Sequence, residues 1–442
     1  MNKRIKDYLV IGFALFAMFF GAGNLIFPPA LGRETGSGFL ISIIGFLITG
    51  VGLPLLGILS CIKSGGNFEL MANKVGKKFS IITTTALILS IGPMVAIPRT
   101  AATTFELSLH PLFPSVKPFI IILIYFIITL AFVLNPTSIV DNIGKFLTPI
   151  LMIMLSLIII KGIILPIGPI TNTHFNNLFS GSLLQGYQTM DAMAAVIFAS
   201  IIITSVKNKG YTSSNSILKT TIYSSIVAVI GLSFIYGGLL YLGSQTTTLF
   251  GQDISKTQLI TEIAKNILGS FGTVTLSISV GLACLTTSIG LTATASEFFT
   301  RLSKGKLPYK FNAIAISIIS MIIALNGVDK IVSFASPVLD ILYPVIIVII
   351  LLNLLGNIIK NNSIVSITVY VTLLFSIIST IHSINPNIYF TKTIFNFIPL
   401  SSLGFIWVIP ALIAFVISYF TLNNKVYQDN DFNEELFEEP GI

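Results

Sequence analysis

The chain has 442 residues, of which 54% are hydrophobic and only 10% charged, with a mean hydropathy of +0.92. An ordinary soluble domain carries about 25% charged residues, so this composition excludes a solvated globule and specifies an integral membrane protein. The net charge of +8 does not point to nucleic acid, because the Lys and Arg residues fall between apolar runs, where they set topology.

The apolar runs far exceed the roughly 10 residues of a barrel strand and do not alternate, which favours helices. Twelve stretches approach the roughly 20-residue spanning length: 8–30, 37–60, 81–108, 118–135, 143–165, 182–204, 218–243, 270–299, 311–326, 331–356, 363–384 and 401–421. The basic terminus (Lys3, Arg4, Lys6) precedes an apolar run too long for a cleaved signal, so the first stretch is expected to be a retained span. With that terminus in the cytoplasm, seventeen of the 25 Lys and Arg residues fall inside, seven outside, and Arg99 lies within a span. This excess predicts a multi-pass cell (inner) membrane protein with both termini cytoplasmic. In the outer segment 252–268, Ile254, Leu259, Ile263 and Ile267 recur at helical spacing, predicting a surface helix in position to act as a lid. Residues 1–428 read as one polytopic domain. The stretch 429–442, with six of the 17 acidic residues, reads as a solvated, disordered tail.

Span 1 carries Gly21-Ala22-Gly23-Asn24 at its middle, with Pro28 and Pro29 following. A helix that unwinds inside lipid must line a cavity or be buried in protein. Unwinding would free carbonyls on the first half-helix, a cation site, and N–H groups on the second, an anion site. The alternative is a Gly-x-Gly face for helix packing. Span 3 contains Pro93, Pro98 and Arg99. Glu106 lies two turns on, so an Arg99–Glu106 ion pair is expected; pairing of Arg99 with Asp191 or with a substrate carboxylate is the alternative. Span 6 places Gln185-Gly186-Tyr187-Gln188-Thr189-Met190-Asp191 mid-helix, and an ionisable group there marks function. Interruptions in spans 1 and 6, at corresponding positions of two halves, point to a transporter's binding site; a polar packing face is the plainer explanation. Span 8 contains Thr286, Thr287 and Ser288. Such hydroxyls usually bond back to a carbonyl one turn earlier, but beside the carbonyls of span 1 they would offer hard oxygen ligands. In span 10, Pro337 and Asp340 are expected to break the helix, for gating or for packing. Cys61 and Cys284 are too isolated for a disulfide scaffold or zinc. His110, His174 and His382 fall in connecting segments with no HExxH motif.

These segments, GAGNLIFPP, GPMVAIPRTAATTFE, GYQTMDAMAAVIF and ACLTTSIGLT, resemble in order those of the BrnQ-type branched-chain amino acid:cation symporters of the amino acid–polyamine–organocation superfamily. The resemblance covers about the whole chain. It implies an all-α LeuT-like fold of about 12 transmembrane helices, with helices 1 and 6 broken. Two inverted five-helix repeats, about 8–165 and 182–356, are expected, with further helices over about 363–421. It also implies a sodium ion held by the carbonyls of Ala17, Phe20 and Ala283 and the hydroxyls of Thr286 and Thr287. The substrate carboxylate would meet the amides around Gly21, Ala22, Gly23 and Asn24, and the substrate ammonium would meet the break at Gly186, Tyr187, Gln188 and Thr189.

The expected function is therefore uptake of leucine, isoleucine and valine by sodium symport, with alternating access around a mid-membrane site. Coupling to protons through Asp191 or Glu106 is the alternative. A channel would need more polar faces than the spans offer, and no GxSxG, HExxH or GxGD motif supports an enzyme. No phosphate loop, organic cofactor, nucleic-acid partner or obligate protein partner is expected.

Overall fold

A computed structural model describes residues 3–134, 148–251, 253–356 and 358–423. The start of the fifth expected span and the acidic tail lie outside the described residues. Those described form helices and turns, with no strand among them.

The chain opens with α1 (Lys3–Phe19) and α2 (Ala22–Thr35), separated at Phe20 and Gly21. The second membrane segment consists of α3 (Phe39–Leu47) and α4 (Leu53–Lys63), joined by a π-helical turn over Ile48–Gly52. Pro54 accounts for that turn: it has no N–H to return to Gly50, so the hydrogen-bond ladder widens just before it. After the short α5 (Phe68–Ala72), the third segment runs through α6 (Lys77–Leu89), a π turn at Ser90–Met94 and α7 (Ala96–Thr103) to a further π turn at Thr104–Leu109. Then follow α8 (Pro118–Val133), α9 (Thr148–Ile164), α10 (Leu178–Tyr187), α11 (Asp191–Asn208) and α12 (Ser214–Ser244). The remainder comprises α13 (Lys256–Leu268), α14 (Ser270–Leu302), α15 (Tyr309–Ala324), α16 (Val328–Leu354), α17 (Asn362–Ile384), α18 (Tyr389–Phe397) and α19 (Val408–Leu422).

Among the described residues, seven helical stretches are long and apolar enough to cross a membrane, the continuous stretch Ala22–Lys63 counting as one. Helices α8, α9, α15 and α19 are apolar but shorter. Their surfaces explain the composition. On α8, Ile120, Ile124 and Ile127 are each about half exposed, and Ile314, Ile318 and Ile322 form a similar stripe on α15. Apolar side chains exposed at helical spacing suit lipid, not water.

Two groups of helices meet at the centre. Helices α1, α2, α3, α4, α10, α11 and α12 pack on one another, whereas α14 gathers α7, α8, α9 and α15 around itself. Within the first group the closest approach is between α2 and α12. A Cβ on Gly32 would lie 1.9 Å from the Leu240 carbonyl oxygen, and one on Gly243 would lie 2.0 Å from that of Pro29. Only glycine admits backbones at this distance, the small-residue packing typical of membrane helices.

The expected surface helix forms as α13. Ser255 and Gln258 close a capping box at its start, and Leu259, Ile260, Ile263 and Ile267 are buried against the bundle. Its Lys256 ammonium lies 4.8 Å from the centre of the Phe27 ring. Burial pushes that ammonium below its usual range, and Glu34 partly offsets the effect. Helix α16 departs from expectation: it continues unbroken through Pro337 and Pro344, so Asp340 lies within a helix and not at a break. His382 sits in the last turn of α17, not in a connecting segment.

Gly243→Val should lower stability by about 3 kcal/mol, the upper end of overpacking effects, whereas Gly251→Ala, where an added Cβ meets nothing within 4 Å, should be neutral. Thermal unfolding of the purified variants in detergent checks this; a wild-type melting temperature for Gly243→Val would contradict the close α2–α12 contact.

Candidate functional site

The break in the first segment arises from a side chain that competes with the helix. Gly21 is extended (φ −125°, ψ −164°) and caps α2. Its N–H donates to Asn24 Oδ1 at 3.0 Å, where a continuous helix would send it back to the Ala17 carbonyl. The Ala17 carbonyl thus loses its helical donor. The Phe20 carbonyl, which precedes the cap, receives none from α2.

The second break lies between α10 and α11, where the chain turns through Gln188, Thr189 and Met190. Met190 adopts φ +63°, a left-handed conformation that costs a side chain of this size energy and that clusters at functional sites. The Thr189 hydroxyl donates to the Gly186 carbonyl at 2.8 Å and accepts from the Asp191 N–H at 3.4 Å, which closes the turn.

Asp191 joins the two breaks. Its Oδ2 accepts from Asn24 Nδ2 at 2.6 Å and from the Tyr236 hydroxyl at 3.0 Å, and Asn24 Nδ2 also donates to the Tyr236 hydroxyl. All three are at most 2% exposed. A carboxylate this deep is tolerable only when donors surround it. Tyr236 escapes the sequence analysis because a lone tyrosine in the apolar α12 carries no periodic or motif signal.

Arg99 corrects an expectation. Its Nη1 donates to the Gln188 carbonyl at 2.7 Å and its Nη2 to that of Thr189 at 3.4 Å, and its guanidinium lies 5.5 Å from the centre of the Phe27 ring. No ion pair with Glu106 forms. Glu106 instead accepts the Val328 N–H at 2.9 Å, capping α16, where the helix dipole favours a carboxylate. The cause is local: Glu106 lies in the π turn Thr104–Leu109, so seven residues no longer make two α-helical turns. Arg99 Nε, fully buried, has no hydrogen-bond partner among the described residues. The guanidinium also lies against the first break, for a Cβ on Gly23 would stand 2.8 Å from Nη2.

On the α14 side, Thr287 Oγ1 donates across to the Phe20 carbonyl at 3.4 Å. Thr286 makes the ordinary back-bond to the Ala283 carbonyl at 2.9 Å. Four of the five oxygen groups expected around a cation thus stand on the facing segments at Phe20 and at 283–287.

Between the breaks lies a cavity of about 30 Å³, room for a water or a bare ion but not for an aliphatic amino acid. Gly21, Ala22, Asn24, Thr189, Asp191 and Thr287 contribute its polar wall, and Ile91, Met190, Ala194 and Leu291 contribute apolar surface. Four expected substrate residues do not line it, and one of them, Gly23, lies against the Arg99 guanidinium. Gly186 packs on the π turn Ile48–Gly52, where a Cβ would collide with Thr49. Tyr187 stacks on Tyr343 with ring centroids 4.4 Å apart. The Gln188 side chain donates to Ser336 Oγ at 3.0 Å.

A profile of the branched-chain amino acid transport protein family matches residues 4–425. The branched-chain amino acid permease BraB of Bacillus subtilis (strain 168) is 38% identical over 424 residues, covering 94% of this chain and 95% of the relative. Among solved structures, the nucleobase-cation-symport-1 family transporter Mhp1, in a closed conformation with bromovinylhydantoin bound, superposes with a TM-score of 0.61. It is 15% identical and covers 98% of this chain and 94% of its own. A Na⁺-coupled sialic acid symporter in a substrate-bound outward-open state superposes with a TM-score of 0.58 at 16% identity, covering 93% of this chain and 89% of its own. The fold is thus the LeuT-like transporter fold in a multi-pass membrane protein, with helices 1 and 6 broken as the resemblance implies.

Tyr236→Phe removes one donor from the buried carboxylate and should lower stability by about 1–3 kcal/mol. Denaturant or thermal unfolding in detergent reads the change; an unaltered transition would mean that Asp191 does not depend on Tyr236.

Proposed function

The chain belongs to the branched-chain amino acid transport protein family, whose members are transporters and not enzymes, and from that premise we propose that it takes up leucine, isoleucine and valine by sodium symport across the cell membrane. The observation that carries this proposal is the meeting of the freed Phe20 carbonyl with Thr287 Oγ1 at 3.4 Å, beside Thr286 and the Ala283 carbonyl. These are neutral hard oxygens of the kind a small monovalent cation takes. The apolar wall of Ile91, Met190, Ala194 and Leu291 suits a branched aliphatic side chain. The charge bias of the connecting segments supports cytoplasmic termini.

Arg99 gives the substrate step its chemistry. At rest its guanidinium holds the Gln188 and Thr189 carbonyls, the groups that a substrate ammonium would use. An arriving amino acid brings both charges. Its carboxylate draws Arg99 and the amides at Gly23 and Asn24, and the released carbonyls, with the Thr189 hydroxyl, receive the ammonium. Sodium at the Phe20 carbonyl orders the same break, so the two ligands bind cooperatively. Reorientation of α1, α2, α10 and α11 with their neighbours against the α14 group then exposes the site to the other side. Proton carriage is less well supported, because Asp191 Oδ2 already accepts two donors and Glu106 caps α16.

Labelled leucine uptake into proteoliposomes tests the proposal. With Thr286→Val and Thr287→Val together, sodium-stimulated uptake should fall to the level seen when choline replaces sodium; full sodium dependence in the double variant would overturn the cation assignment. Gly23→Ala should displace the guanidinium and raise the leucine Kd about tenfold, equivalent to about 1.4 kcal/mol. An unchanged Kd, measured by scintillation proximity, would remove Arg99 from the substrate site.

A further inference from the structure

Helix α18 has nine residues, about 14 Å at 1.5 Å per residue, less than half of a hydrocarbon core about 30 Å thick. It cannot cross the bilayer, yet it connects two helices that face lipid. Leu374, Ile381 and Ile384 on α17 and Leu412, Val416 and Phe420 on α19 are each at least 40% exposed. The start of α17 and the end of α19 are joined, for the Lys360 N–H donates to Asn423 Oδ1 at 2.9 Å. Helix α18 therefore lies at the opposite face of the membrane, between the end of α17 and the start of α19.

The helix has three faces. Thr391 and Phe395 turn to the protein: Thr391 is buried, and Phe395 stacks on His382 of α17 with ring centroids 4.3 Å apart. Phe390 and Phe397, seven residues apart, share a second face and are 65% and 86% exposed. At about 100° per residue, that face lies about 130° from the first. Lys392 and Asn396, both exposed, form the third, again about 130° from the phenylalanines. Tyr389, 84% exposed, stands between the aromatic and the polar side, the place a ring with a hydroxyl takes at a membrane surface. Three large aromatic side chains presented outward by nine residues do not suit water. The lipid-facing stripes of α17 and α19, which run up to α18 from both sides, identify what covers them. An amphipathic helix with aromatic rings on one side and a lysine on the other lies in the plane of the membrane surface.

We propose that α18 is an interfacial anchor, with the Phe390 and Phe397 rings among the upper acyl chains of that leaflet, Tyr389 at the headgroups and Lys392 toward headgroup phosphate and water. The bilayer thereby fixes the depth of the helix's inner face. Phe395 and its partner His382 form part of the wall of a cavity of about 420 Å³, so the lipid surface holds that wall in place.

Nitroxide labels on the full chain in phosphatidylcholine vesicles test this. Cys61 and Cys284 are buried, so Phe390→Cys, Phe397→Cys and Lys392→Cys can each be labelled at the new thiol. Power saturation then compares relaxation by oxygen, which concentrates in lipid, with relaxation by a nickel chelate, which stays in water. The oxygen-to-nickel ratio should be at least about threefold higher at 390 and 397 than at 392, as burial by roughly 5–10 Å requires. An equal ratio at all three positions would place the aromatic face in water. Weak relaxation by both reagents at 390 and 397 would place a second copy of the chain on it. Either result overturns the proposal. Tryptophan fluorescence gives the same reading without a cysteine, because Trp407 is the chain's only tryptophan. In the Trp407→Phe, Phe397→Trp variant, brominated phosphatidylcholine should quench the emission strongly, and no quenching would contradict the lipid contact. With Tyr389, Phe390 and Phe397 all replaced by Ser, the label at 392 should become more mobile; an unchanged line shape would overturn the anchoring.

Discussion

The carboxylate of Asp191 constrains the whole molecule. It lies at the start of α11, 2% exposed, and can remain there only because α2 supplies Asn24 and α12 supplies Tyr236. Removing one of these donors costs about 1–3 kcal/mol, a large part of the net stability of a folded chain. The arrangement therefore ties the second half of each broken helix to the other and to the long helix behind them. It also explains the break at Gly21. Asn24 reaches Asp191 with its amide nitrogen while its oxygen holds the Gly21 N–H, so a single side chain caps one half-helix and anchors the other.

Around this anchor the charges balance. Arg99 comes from the opposite group of helices and meets carbonyls of the Gln188 turn, not a carboxylate. A guanidinium bonded to neutral carbonyls is held less firmly than one in a bidentate ion pair, which suits a group that must change partners when a zwitterion arrives. The glycine at position 23 lets it approach, since any side chain would displace it. The two helix groups thus touch, at the site, through bonds that can exchange, whereas α2 and α12 touch through rigid backbone contact.

Much of this was legible in the residues. Gly21 to Asn24 and Gln188 to Asp191 marked both breaks, because glycines and a carboxylate have no ordinary place in the middle of a membrane helix. Thr287 was recognisable as a candidate cation ligand only in company with the first break. What escaped depended on register and on assembly. The supposed Arg99–Glu106 pair assumed a regular helix, and the π turn at Thr104–Leu109 moved Glu106 to another face. Tyr236 was hidden in an apolar helix, its role set by residues 45 and 212 positions away. Asp340 was visible as an anomaly, but the continuity of α16 past Pro337 and Pro344 was not. Gly186 lacks a side chain because a Cβ would collide with Thr49, a packing demand that no local pattern reveals.

The central claim is that cation and amino acid share the break between α1 and α2, so that each prepares the site for the other. Linkage makes this measurable, because any factor by which sodium tightens leucine binding must equal the factor by which leucine tightens sodium binding. The most direct measurement is therefore the pair of titrations on the purified protein, leucine with and without sodium and sodium with and without leucine, with choline as the replacement cation. The account predicts that both Kd values fall by the same factor, at least about fivefold. A leucine Kd indifferent to the exchange of sodium for choline would contradict it.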